Sequence, residues 1–178
     1  MNGSGPPTWA AGSFLARLSP EERDKLLTLG TTRLLAASKR IMVEGDQDRH
    51  VEIIRQGYVK VTTQVGGASR LLAIRLPGDI VGELAAVTDS SRIATVTTCG
   101  EVVSTVIRQA DFVNFLGTHP HAASQVTGTV GRRLRWANER RSEFSAYSAQ
   151  VRLAHVLSDI AAACAEKVRD GLRIEVDL

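Results

Sequence analysis

The sequence predicts an α+β chain in which a small antiparallel β-roll lies between short N-terminal helices and a long C-terminal helix. Between residues 31 and 106, short β-like runs alternate with turn signals, which favours an antiparallel roll over a βαβ sheet. Before this region, Ser19 followed by Pro20 and two glutamates is typical of a helix start. After it, apolar residues recur at steps of three and four over residues 122–149, as in a long amphipathic helix.

Glycine-rich turns separate the strand candidates. Gly66 and Gly67, between two alternating runs, predict a tight hairpin. The other glycine turns fall where a strand must reverse and a positive φ is needed. The strand candidates are residues 33–36, 39–43, 51–55, 58–65, 70–76, 93–98 and 101–107.

Length and composition are ordinary for a globular protein, with 178 residues, 43% hydrophobic and 23% charged. No apolar stretch approaches the roughly 18 to 20 residues of a membrane span. The first ten residues lack the basic and apolar regions of a secretory signal. We therefore expect a cytoplasmic protein with no membrane partner.

The net charge of +3 is unevenly distributed, because five arginines lie between residues 132 and 141. Such a cluster can contact phosphates. The simpler interpretation is a solvated helix surface on which Glu139 and Glu143 are partners one turn away.

Metal binding and catalysis find little support in the sequence. Cys99 and Cys164 share no ligand spacing with each other or with the histidines. His119 and His121 flank Pro120, but with no further ligand nearby this is typical of a helix-start turn. We expect no metal site. The sequence shows no arrangement of a nucleophile with a base, so we predict no catalytic residues and no enzymatic activity.

The stretch from Pro77 to Val96, PGDIVGELAAVTDSSRIATV, carries the main functional pattern. Gly82 stands directly before Glu83, and Arg92 follows nine residues later. A backbone that kinks at glycine brings its N–H groups close to an anion. Glu83 can accept hydrogen bonds from ligand hydroxyls, and Arg92 offers a planar fork of donors to phosphate. The pattern predicts a sugar-phosphate site; the plainer alternative is an internal Glu83–Arg92 ion pair that stiffens an empty loop.

This stretch resembles the phosphate-binding cassette of cyclic-nucleotide-binding domains, as found in the Crp/Fnr family of bacterial transcription regulators. The resemblance covers Gly82, Glu83, Leu84 and Arg92, and the order of turns before them is similar to the family's double-stranded β-helix, a small jelly roll. In that family the glutamate holds the ribose 2′-hydroxyl and the arginine holds the cyclic phosphate. The resemblance implies a small-molecule effector, with cAMP or cGMP as the candidates, although no cofactor is certain.

Two departures from the family pattern affect the pocket. The residue after the arginine is usually serine or threonine, which helps to bind phosphate, and here it is Ile93. In the family, the long helix closes the pocket with side chains that read the adenine, and the aligned positions are Ala137 and Asn138. Alanine offers no side-chain hydrogen bond, so this base-reading chemistry is only half present.

The long helix carries an impure heptad seam. Over residues 122–149 it would be about 40 Å long, too long for one roll to cover. The sequence therefore predicts a two-fold homodimer, and the plainer alternative is packing against its own roll alone. Arg141 on the seam lowers affinity or fixes the register. The predicted interface consists of Val130, Leu134, Ala137, Arg141, Phe144 and Val151.

A further amphipathic helix is predicted from Gln150 to Val168, followed by a strand that starts at Leu172. In Crp/Fnr regulators these elements lead into a winged helix-turn-helix that binds DNA, and no recognition helix follows here. We expect a truncated chain, because residues 174–178 would form half of a hairpin without its partner.

The resemblance implies four regions: an N-terminal lead and helices (1–30), a cyclic-nucleotide-binding-like β-roll (31–110), a short helix and the dimerisation helix (111–149), and the start of a DNA-binding domain (150–178). The implied function is the effector-sensing and dimerisation part of a Crp/Fnr-type transcription regulator. One alternative is a degenerate domain that serves as a ligand-free dimer scaffold, which Ile93 and Ala137 favour. A remoter one is a cupin-like enzyme, although the strands carry almost none of the histidine that cupins need.

Overall fold

The computed structural model describes residues 9–10, 12–164, 166–168 and 171–173. Residues 1–8, at the start of the predicted N-terminal lead, and residues 174–178, in the strand predicted to start at Leu172, lie outside this part of the chain. No helix within it combines the length and apolar character needed to cross a bilayer.

Short helices precede the roll and longer ones follow it, in the predicted order. The N-terminal helices are α1 (Phe14–Arg17) and α2 (Pro20–Thr28). The roll contains β1 (Thr31–Leu35), β2 (Arg40–Met42), β3 (Val51–Gln56), β4 (Val59–Val65), β5 (Ala68–Arg75), β6 (Ile80–Val81), α3 (Glu83–Thr88), β7 (Thr95–Thr98) and β8 (Val102–Ile107). The C-terminal elements are α4 (Gln109–Thr118), α5 (Pro120–Ala146), α6 (Ala149–Cys164), β9 (Glu166–Val168) and β10 (Gly171–Arg173).

Two four-stranded antiparallel sheets form the roll, in the orders β1-β8-β3-β6 and β2-β7-β4-β5. Strands distant in sequence are neighbours, so the predicted antiparallel roll with flanking helices is confirmed. The predicted hairpin is also found, because Val65 pairs with Ala68 across Gly66 and Gly67, which both have positive φ. Within this hairpin the register shifts at a β-bulge between Val61 and Thr62.

The core consists of two clusters, one between the sheets and one under the helices. Residues of both sheets, such as Ile54, Val59 and Val102, make the first. In the second, α1, α2, α4 and the first turns of α5 cover the outer side of the β1-β8-β3-β6 sheet. Ala122 and Val126 belong to this cluster, so the start of α5 is fixed to the roll.

The N-terminal helices start as their sequence predicts. Ser19 and Glu22 form a capping box at α2, with Pro20 at its first position. The first of the predicted N-terminal helices, α1, is a single turn that begins after its N-cap, Ser13. Ser13 accepts a hydrogen bond from the N–H of Ala16 and so favours a start at this point.

One C-terminal expectation is wrong. The helix predicted up to Val168 ends at Cys164, and β9 follows it. Gly171 of β10 pairs with Val168 of β9, and the strand predicted to start at Leu172 is found as β10 up to Arg173. The β-branched Val168 and the short separation between the two strands favour this hairpin over a longer helix.

Phe112→Ala is expected to lower the free energy of unfolding by about 3–5 kcal/mol, because its ring is fully buried in the cluster under the helices. The matched control is the neighbouring Val113→Ala, an exposed position where a change within about 0.5 kcal/mol is expected. Equilibrium urea unfolding measures both values. Equal losses would contradict this placement of α4.

Candidate ligand-binding site

Gly82 forms the sharp entry to α3. Its φ is +80°, in the left-handed region, and it occupies the N-cap position of the helix. A Cβ there would lie 2.5 Å from Nη1 of Arg92 and 2.6 Å from Cε of Met42. Glycine is therefore required both for its conformation and for the close approach of the arginine, as the expected kink implied.

Arg92 is buried behind this turn, with a side chain only 2% exposed. Its Nε and Nη2 donate to the two carboxylate oxygens of Asp48 at 3.1 and 3.0 Å. Nη1 donates to the carbonyl of Gly82 at 3.1 Å, and Nη2 also donates to the carbonyl of His50 at 2.7 Å. Protein acceptors thus take up four of the five guanidinium N–H groups.

Asp48 begins a row of charged side chains that extends across β3. Nδ1 of His50 lies 2.7 Å from Oδ2 of Asp48, and its Nε2 lies 3.2 Å from Oε1 of Glu52. Glu52 is fully buried; it accepts a hydrogen bond from Oγ of Ser104 at 2.6 Å and pairs with Arg33. Carboxylates alternate with arginine and histidine side chains along the row, so each carboxylate has a cationic or hydrogen-bonding neighbour.

The two carboxylates of this row are held in their ionised forms. The hydrogen bond from Arg92 lowers the pKa of Asp48 below its usual range. Burial raises the pKa of Glu52, but hydrogen bonds from His50 and Ser104 and the charge of Arg33 outweigh it, and the net pKa is lowered. Both groups are therefore negatively charged at neutral pH.

Glu83 connects the predicted cassette, residues 77–96, to the long helix. It is the first residue of α3, and its Oε1 accepts a hydrogen bond from Nη1 of Arg133 at 2.6 Å. Nη2 of the same guanidinium donates to the carbonyl of Ile80 at 2.7 Å. The alternative of an internal Glu83–Arg92 ion pair is wrong, because each of these residues has a different partner.

Arg75 of β5 adds a further cation near this connection. Burial, followed by the charge of Arg133, lowers the pKa of Arg75 to about 10. Asp79 and Glu83 act in the opposite direction. A lowered arginine pKa marks a position where one more anion would be stabilising.

The other predicted ligand residues occupy more open positions. Leu84 is half-buried in the first turn of α3, and Ile93 is exposed beside the buried Arg92. Ala137 and Asn138 are exposed on α5, one turn beyond Arg133, which makes the contact with Glu83. Arg133 was not among the predicted ligand residues, because it lies in the basic run interpreted as a solvated surface. Asp48 and His50 were not predicted either, because no local spacing in the sequence singles them out.

The predicted dimer seam emerges from the domain along α5. Val130 is half-buried, whereas Leu134 is 61% exposed. Ala137 and Arg141 are exposed as well, and the side chain of Phe144 lies outside the described part of the chain. An apolar residue at Leu134 is thus available to a second copy.

Val151 does not continue the seam on the same helix, contrary to expectation. The long helix predicted up to residue 149 ends at Ala146, and α6 begins at Ala149. Oγ of Ser148 accepts a hydrogen bond from the N–H of Val151 at 3.5 Å. The break has a local reason, since serine favours helix caps over helix interiors.

The two histidines around Pro120 serve separate contacts. The His119 ring stacks on Phe115 at a centroid distance of 4.3 Å. Nδ1 of His121 lies 2.8 Å from Oε2 of Glu22 and ties α5 to α2. Among the described residues, no group of three or more potential ligands could hold a metal ion.

Comparison with known proteins identifies the class of the domain. Residues 32–119 match the family model of the cyclic nucleotide-binding domain. The Cyclic AMP receptor protein of Thermus thermophilus is 28% identical over 141 residues, which cover 79% of this chain and 65% of the relative. The Pycsar effector protein XpPycTIR of Xanthomonas perforans is 31% identical over 115 residues, covering 64% and 37%.

A solved structure agrees with these sequence matches. The Catabolite Activator Protein of Thermus thermophilus has a TM-score of 0.67 at 27% identity, over 75% of this chain and 63% of that one. The roll therefore has the fold of a cyclic nucleotide-binding domain, and the match to the family model covers most of it. Its sequence is similar to that of the Cyclic AMP receptor protein. The chain spans less than two thirds of the length of each of these relatives.

Acidification is expected to remove the stability that the Glu52 pairing contributes. The folded-state pKa lies below the unfolded one, so this stability is fully present above about pH 4.3 and is lost as the pH falls through the folded value. The difference in unfolding free energy between the wild type and Glu52→Gln should shrink between about pH 7 and about pH 3. Urea unfolding at a series of pH values measures it.

Glu101→Gln, which neutralises an exposed carboxylate, is the control and should change the unfolding free energy little at neutral pH. A Glu52→Gln difference of constant size across the range would contradict the pairing.

Proposed function

We propose that this chain is the effector-sensing and dimerisation part of a Crp/Fnr-type bacterial transcription regulator. The domain binds a small effector, a cyclic nucleotide such as cAMP or cGMP, and passes the signal to DNA through a C-terminal winged helix-turn-helix. The observation that carries the proposal is the 2.6 Å contact between Glu83 and Arg133, because it joins the cassette directly to α5.

The contact suggests how binding is transmitted. A ribose hydroxyl that bonds to Glu83 takes over an acceptor that now holds Arg133, and so alters the interaction that positions α5. Only a ligand that prefers one arrangement of α5 shifts its equilibrium. A coupling of about 1–3 kcal/mol changes the affinity for DNA by roughly 5- to 150-fold. The domain acts in this way as a sensor and not as an enzyme.

Dimerisation along α5 completes the proposal. The first turns of the helix are buried against the roll, and Leu134 is exposed where the helix leaves it. Burial of this face against a second copy forms an isologous interface. Two copies of α5 then carry the signal symmetrically to both DNA-binding units.

One observation favours the alternative of a ligand-free dimer scaffold. Glu83 and Arg92 are both buried and bound to side chains of the same chain. A domain whose recognition groups are already satisfied does not need a ligand to be stable.

Calorimetric titration of the full chain with cAMP and with cGMP separates the two functions. The proposal expects saturable binding that weakens by roughly tenfold or more in Glu83→Gln, the scale of a lost charge-assisted hydrogen bond. The control Glu101→Gln should bind as the wild type does. No heat with either nucleotide would favour the ligand-free scaffold.

Leu134→Asp is expected to convert the dimer to monomer, because it places a charge in the apolar seam. The matched control is Leu34→Asp on β1. Leu34 is 64% exposed and Leu134 is 61% exposed, so the two positions are similar in exposure, but Leu34 lies outside the seam. Sedimentation velocity measures the masses. A wild-type chain that sediments as a monomer, or two variants that dissociate equally, would oppose the assignment of the seam.

A further inference from the structure

We propose that Asp48 is a built-in competitor of the ligand's phosphate for Arg92, and that it sets the affinity of the site for anions. The inference rests on the proposed function, since it concerns the same site. A carboxylate and a phosphate each present two oxygens at a spacing that fits a guanidinium fork. Asp48 places its two oxygens on Nε and Nη2 of Arg92 in this manner.

The remaining contacts of Arg92 leave little room for a ligand. The carbonyls of Gly82 and His50 take one N–H of Nη1 and one of Nη2. One N–H on Nη1 remains, on a side chain that is 2% exposed. A phosphate therefore gains a two-point contact with Arg92 only when the carboxylate of Asp48 withdraws.

Asp48 is placed so that it can withdraw without disturbing the core. It lies in the loop between β2 and β3, and its side chain is 42% exposed. It borders an open surface cleft of about 350 Å³ that Arg49 and Arg108 also line. The carboxylate thus has space and cationic neighbours away from Arg92.

His50 gives the displaced carboxylate a second partner. Oδ2 of Asp48, which bonds to Nη2 of Arg92 at 3.0 Å, also lies 2.7 Å from Nδ1 of His50. Glu52 holds the other side of the imidazole ring, and Glu52 is itself fixed by Ser104. The ring therefore keeps its position when the fork of Arg92 opens, and Asp48 keeps its contact with His50.

Asp48→Asn tests the competition, because it keeps the size of the side chain and removes its charge. Asp46→Asn is the matched control: it removes the same charge from an exposed position in the same loop, where the backbone carbonyl is what contacts Arg92. Each full-length chain is titrated calorimetrically with cAMP, cGMP and inorganic phosphate. Asp48→Asn should bind a probe roughly 10- to 100-fold more tightly than the wild type, the range of a charge-assisted hydrogen bond.

Asp46→Asn should stay within about twofold of the wild type, as expected for an exposed charge. If the wild type binds a cyclic nucleotide and Asp48→Asn binds it equally or more weakly, Asp48 does not compete; the inference is overturned and the proposed function stands. If no chain binds a nucleotide, the proposed function fails. The titration with inorganic phosphate then tests the inference. If Asp48→Asn does not bind phosphate more tightly than the wild type, the inference is overturned.

Thermal unfolding with and without inorganic phosphate provides a second readout. Asp48→Asn leaves the buried charge of Arg92 without its counter-ion, so its melting temperature should fall and phosphate should restore it more than it raises that of the wild type. If Asp48→Asn does not fold, Asp48→Ser, which leaves space for the anion itself, is measured in phosphate. Equal phosphate effects on the wild type and on either variant overturn the inference.

Discussion

A buried guanidinium needs a full set of acceptors, and this requirement at Arg92 determines how the cassette is built. The acceptors come from the loop before β3, where Asp48 and the carbonyl of His50 lie, and from Gly82 before α3. A backbone hydrogen bond also connects the loop before β3 to Arg92, since the N–H of Arg92 donates to the carbonyl of Asp46 at 2.8 Å. The β2–β3 loop and the cassette therefore form one unit, and a displacement of either must be shared by the other.

Local sequence signals predicted most of the fold. They failed where an element is too short to show a period, and where burial in the folded protein overrides the local pattern. Glycine turns located the strands, and Gly66 with Gly67 located a hairpin that the structure confirms. The six-residue α3 was not predicted as a helix, because it is too short to show a helical period. Alternation in β3 would place Glu52 at the surface, yet residues 51–54 are all buried, because helices cover one face of this sheet and the other sheet covers the second.

For the site, the spacing of Gly82, Glu83 and Arg92 was visible in one short stretch, whereas their partners were not. Asp48 precedes Arg92 by 44 residues, and Arg133 follows Glu83 by 50. Contacts between residues so distant in the sequence form only when the roll folds, so they cannot be predicted from local residue spacing. A resemblance to a family indicates the candidate ligand groups, but the charges that hold those groups in place belong to this chain.

The bulge between Val61 and Thr62 has a consequence for the behaviour of the roll in a crowded solution. Val61 pairs with Ala73 and Thr62 with Leu71, so the extra residue is Leu72 of β5, the outer strand of its sheet. Leu71 and Leu72 are both exposed. A bulge bends a strand pair and increases its twist. A twisted outer strand is a poor template for a strand of another molecule. The hairpin can therefore carry two exposed leucines while the irregularity protects the protein against edge-to-edge aggregation.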